Sequence, residues 1–142
     1  MSKNNSFKNW CHEIQKENQE LLDDFAQWLE VKGLRQKTIE EHLFNVDFYI
    51  NEYLLYHKTD RVEYGAVQIN DFFENWFIRS AMWASEKSIK RTATGLKKFY
   101  TFLFEIGRVQ IYDCQFLRDM IREHMPKWIE VFHKCALMED DW

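Results

Sequence analysis

The stretch 85–107, SEKSIKRTATGLKKFYTFLFEIG, decides the fold. Ile89, Ala93, Leu96, Tyr100 and Leu103 recur at spacings of three and four, the pattern of one buried face of an α-helix. Ser85 stands where an N-cap belongs, its hydroxyl placed to accept from a backbone N–H of the first turn. Gly107 closes the other end in the left-handed conformation that glycine adopts without steric cost. The outer side carries Lys87, Lys90, Arg91, Thr94, Lys97, Lys98 and Thr101. From 87 to 104 there are five cations and no carboxylate, in a chain of formal charge −4. About 20 helical residues span roughly 30 Å, close to one turn of duplex DNA.

Working outward, every other periodic segment also reads as helix, and none alternates with period two. A first helix is predicted over 8–31, with Trp10, Ile14, Leu21, Phe25 and Trp28 on one face and Leu22 and Leu29 beside it; Gly33 stops it. A second covers 36–57, where Ile39, Leu43, Val46, Ile50 and Tyr53 form a core stripe that Phe44, Phe48 and Leu55 widen. Thr38 followed by Glu41 has capping-box spacing. A polar connection, 58–68, leads to a short third helix opened by Asn70 or Asp71 and carrying Phe72, Phe73, Trp76 and Phe77. The basic helix is the fourth. A fifth is expected over 112–124 with Phe116, Leu117, Met120 and Ile121. Pro126 is expected to break the pattern and restart it. A sixth covers 127–137 through Trp128, Ile129, Phe132 and Cys135, and the acidic end MEDDW is expected to fray. The expected fold class is all-α.

Composition agrees. A chain of 142 residues has the length of one domain. Its 46% hydrophobic and 17% aromatic content supplies a substantial core, and four Gly with one Pro suit long helices. Three cysteines (Cys11, Cys114, Cys135) without CxxC spacing argue against a disulfide framework and for a reducing compartment. No apolar run reaches the roughly 18 residues of a membrane helix, and the start lacks a signal-peptide pattern. A cytoplasmic protein is expected. The charge is uneven: residues 1–30 sum to −3, 31–104 to +2 and 105–142 to −3. A basic strip on an acidic body predicts weak, salt-sensitive binding to an anionic partner.

Two segments carry a family resemblance. LLDDFAQWLEVKGLRQKTIEEHLFNVDFYINEYL gives helix, glycine, a short basic turn and a Thr-Ile opening to a second amphipathic helix. SEKSIKRTATGLKKFYTFLFEIGRV gives a Ser-capped basic helix ending on aromatics and glycine. Over about residues 20–109 the chain resembles the N-terminal core-binding domain of tyrosine recombinases, the phage-integrase family, with its SAM-like four-helix module. The resemblance implies a single domain of that module extended by C-terminal helices over about 110–138. It also implies a clamp on duplex DNA through the second and fourth helices. The matching positions are Arg35, Gln36, Lys37 and Thr38 at the second-helix opening, and Lys87, Lys90, Arg91, Thr94, Lys97 and Lys98 on the fourth. Lys and Arg neutralise phosphates while Thr and Gln add short hydrogen bonds. Arg91 is the candidate for a base edge, because only arginine offers guanine a bidentate fork.

The departures are equally definite. Glu40, Glu41, Asn45, Asp47 and Glu52 give the second helix an acidic outer side. The sequence ends where the family's catalytic domain begins, and Tyr112, Arg118, Arg122 and His124 do not reproduce that domain's spacing, so no strand cleavage is expected. Other chemistry is not supported. Cys11–His12 and His133–Cys135 lack paired zinc-ligand spacing, and no glycine-rich phosphate loop or nucleophile elbow exists. Asp23–Asp24 and Glu40–Glu41 read as solubility charges. Most aromatics lie on core stripes; Trp83, as a staple or at a groove edge, and Trp142 are the exceptions. No metal or cofactor is expected.

The expected function is a catalytically empty core-binding-type domain on duplex DNA, with an accessory or regulatory role for a mobile element. The alternative is a protein-interaction module that keeps the fold and offers its C-terminal helices to a partner or a second copy.

Overall fold

The computed structural model describes residues 3–140, with side-chain environments for 5–138. No strand occurs among the described residues, and the protein is all-α. It forms two compact units, Met1–Gly65 and Ala66–Trp142. The boundary falls inside the polar connection.

The first unit begins with α1 (Lys3–Val31). Gly33, at φ +88°, ends it. Its N–H reaches Glu30 O at 2.9 Å and the Leu34 N–H reaches Leu29 O at 3.2 Å, the paired bonds of a Schellman motif. Helix α2 (Gln36–Asp47) follows and continues without interruption as a π-helix, Phe48–His57. That wider turn differs from the α-helix expected there. One side of the segment is interior: Tyr49, Ile50, Tyr53, Leu54 and Leu55 are all fully buried. Two further interior side chains hold α1 to this segment. Asn18 donates to Asn51 Oδ1 at 2.8 Å, and Asn51 donates to Asp47 Oδ1 at 2.5 Å. Thr59, at φ +56°, closes the π-helix where glycine would be cheaper.

The expected capping box at Thr38 is absent. Arg35 is the N-cap of α2 and makes no side-chain cap bond, so Thr38 sits inside the first turn. Two side assignments on this helix also change. Phe44 is exposed and Asn45 is buried, because the buried face of α2 is centred on Ile39, His42 and Val46.

In the second unit, a 3-10 turn at Ala66–Gln68 leads into one helical run: α3 (Ile69–Asp71), a π-helical turn Phe72–Trp76 and α4 (Phe77–Ser80). Helix α5 (Glu86–Glu105) is the basic helix. Ser85 caps it as expected and exchanges bonds with Ser88: the Ser88 N–H donates to Ser85 Oγ at 2.9 Å and the Ser85 N–H to Ser88 Oγ at 2.8 Å. Gly107, at φ +80°, ends it, with Arg108 N–H to Leu103 O at 2.8 Å.

The C-terminal pair of expected helices is one helix. α6 (Ile111–Asp140) runs through Pro126, and its last residues include part of the end expected to fray. Residues 141–142, Trp142 among them, lie outside the described residues. An internal proline costs about 3 kcal/mol. The buried positions Leu117, Ile121 and Trp128 keep helical spacing across it, so packing on both sides holds one axis. Trp128 stacks on Phe73 at 4.6 Å and donates its indole N–H to Asn70 Oδ1 at 2.9 Å. α6 thus lies against α5 and the 66–76 segment of its own unit.

Candidate nucleic-acid interface

Packing gives α5 its two sides. Ile89, Thr92, Ala93, Gly95, Leu96, Phe99, Tyr100, Phe102 and Leu103 are buried, which leaves the basic stripe outward. Lys87, Lys90 and Arg91 are exposed, and Thr94, Lys97 and Lys98 are half-exposed.

The stripe is electrically uneven, which the charge count concealed. Glu86, one residue before the run, accepts from Lys90 Nζ at 3.1 Å and faces His133 Nε2 of α6 at 3.2 Å. Hydrogen bonding from Lys90, then from His133, holds the Glu86 carboxyl below its ordinary range. The first turn is therefore partly neutralised. Lys97 and Lys98, nearer the C-terminal end, have no carboxylate partner among the described residues.

The threonines differ from expectation. The Thr94 hydroxyl donates to Lys90 O at 3.1 Å and the Thr101 hydroxyl to Lys97 O at 2.9 Å. Both protons are spent on the helix backbone, so these oxygens present acceptor capacity and no donor to a phosphate.

In the first unit Arg35 and Lys37 are exposed at the α2 opening, Thr38 is half-buried, and Gln36 is drawn back onto Glu40 Oε1 at 3.4 Å. Glu40 and Glu52 are exposed, so the acidic side of that helix is partly as read, without Asn45. The expected interface residues thus fall in both units, and most of the cations among them are on α5.

The sequence reading missed two α6 residues beside α5. Arg118 donates through Nη2 to Thr101 Oγ1 at 3.0 Å, and His133 meets Glu86. A signal was available. In an antiparallel helical hairpin with a short loop, positions equally distant from the turn face each other. Residues 101 and 118 are symmetric about 109–110, and so are 86 and 133.

No group of three His, Cys, Asp or Glu could hold a metal among the described residues. No helix of the described residues is long and apolar enough to cross a membrane. A cleft of about 390 Å³ in the first unit is lined by Phe7, Lys8, Cys11, His12, Gln15 and Tyr56. Burial, then the nearby Cys11, Glu52 and Asp47, raises the Tyr56 phenol above its ordinary range, and its hydroxyl donates to Gln15 Oε1 at 2.9 Å. Trp83 is 42% exposed just before the α5 cap. No family model, curated protein or solved structure matches this chain.

Proposed function

We propose that these residues form a non-catalytic, DNA-binding module of the SAM-like core-binding type, with an accessory or regulatory role for a mobile element. The observation that carries the reading is α5: a capped helix, rigidly seated by its buried face, that turns Lys87, Lys90, Arg91, Lys97 and Lys98 outward in a protein of net negative charge. Cations on a fixed rod track a phosphate backbone, and their binding releases counterions. Arg35 and Lys37 at the α2 opening are the first unit's own candidate contacts. Charge reversal of Lys90, Arg91 and Lys98 to Glu tests it, with circular dichroism as the check on folding. Loss of duplex binding in a folded variant supports the reading; undiminished binding refutes it.

A second reading, a protein-interaction module, is favoured by the start of α6, where Ile111, Tyr112 and Phe116 are 49%, 65% and 39% exposed. Phe132 is a poorer probe because it is half-buried. Sedimentation of wild type and Tyr112→Asp decides: a dimer that the substitution dissociates favours this reading, and a monomer at all concentrations counts against it.

A further inference from the structure

Resting on the DNA-binding reading, we infer that Arg118 of α6 is a phosphate-contacting residue, held in place over α5 by Thr101. The geometry is a relay of two hydrogen bonds. The Thr101 hydroxyl gives its proton to Lys97 O at 2.9 Å, which fixes the direction of its lone pairs. Arg118 Nη2 donates into one of them at 3.0 Å. A neutral acceptor orients the guanidinium without cancelling its charge, unlike the carboxylate that meets Lys90.

The acidic residues flanking Arg118 on α6, Asp113 and Asp119, are otherwise engaged. Asp113 Oδ2 accepts from the Gln110 backbone N–H at 2.9 Å, capping the start of α6. Elsewhere on the helix the pattern is different: Arg122 pairs with Asp119 at 3.0 Å, and Lys134 with Glu130 at 2.9 Å. Arg118 therefore joins Lys97 and Lys98 as cations with no carboxylate partner among the described residues. An arginine has five N–H donors, so one bond to Thr101 leaves a fork for an incoming phosphate oxygen pair. Holding the side chain beforehand removes part of the ordering cost of binding. The C-terminal half of α5, together with α6, is then the principal phosphate contact, and the Glu86 end is secondary.

The test compares four proteins on a random-sequence duplex across a salt series: wild type, Arg118→Gln, Thr101→Val and Lys134→Gln. Arg118→Gln should reduce the slope of log affinity against log salt by about 0.9, one phosphate's share. Thr101→Val keeps every charge, so the slope should hold while affinity falls between about two- and tenfold, the cost of ordering a freed arginine. Lys134→Gln makes the same charge change on the same helix, at a paired site, and should leave both values unchanged. Equal effects of Arg118→Gln and Lys134→Gln, or none from Arg118→Gln, overturn the assignment while wild-type binding leaves the DNA reading standing. Failure of the wild-type protein to bind any duplex overturns both.

Discussion

Trp128 shows what a single residue does in the second unit. Its ring is fully buried, stacked on Phe73, and its one polar atom is satisfied by Asn70. Trp128→Ala should cost about 3–5 kcal/mol in urea unfolding. Trp128→Phe keeps most of the ring and should cost less, about 1–3 kcal/mol, because Asn70 loses its donor. Cys114 supplies a pH test. Burial raises its thiol above the ordinary range, against the opposing pull of Arg118, and the Sγ donates to Tyr100 O at 3.1 Å. A folded pKa above the unfolded one stabilises the protein fully below the unfolded value, and that contribution is lost as pH rises through the folded value. Stability should therefore fall above about pH 9, the ordinary thiol value, and Cys114→Ala should flatten that fall in urea melts at pH 8–10.5. At this scale the sequence was legible at the centres of helical faces and poor at their edges. Ile89, Leu96 and Tyr100 could be read as interior from spacing alone. Phe44 and Asn45 could not, since adjacent residues at a face boundary are sorted by the neighbouring helix, which spacing does not reveal.

Among the elements, α5 was the best announced, because its ends carry local chemistry. Ser85→Ala should cost about 0.5–2 kcal/mol, and Ser88→Ala a share of it, since the two serines cap each other. Gly107→Ala meets no atom within 4 Å but must hold φ +80°, so about 1–2 kcal/mol should be lost to backbone strain alone. α6 was the worst announced. Pro126 carries a strong local stop signal, yet the buried stripe on either side keeps its spacing, and tertiary packing outweighs the local cost. Pro126→Ala should accordingly stabilise the protein, by about 1–2 kcal/mol after allowing for the greater freedom of the unfolded chain. A thermal melt checks the sign. The π-helix at Phe48–His57 has no sequence signature separable from an α-helix, because the same apolar run suits both.

For the whole molecule, net charge is the least informative quantity and its distribution the most. The chain is −4 overall, yet α5 turns a basic side outward, and the carboxylate just before that run is held by Lys90 and His133. The stripe itself was legible in the sequence. Its internal division was legible only through hairpin symmetry about the turn, and the Glu86–His133 half of it was hidden because Pro126 reads as a break in α6. The most direct measurement of the central claim is fluorescence anisotropy of a random-sequence duplex at 50 and 200 mM salt. Neutralising about four phosphates predicts a slope near −3.6, a loss of about two orders of magnitude in affinity, abolished by charge reversal at Lys90, Arg91 and Lys98. No binding at 50 mM salt, or binding that survives that reversal in a folded protein, would contradict it.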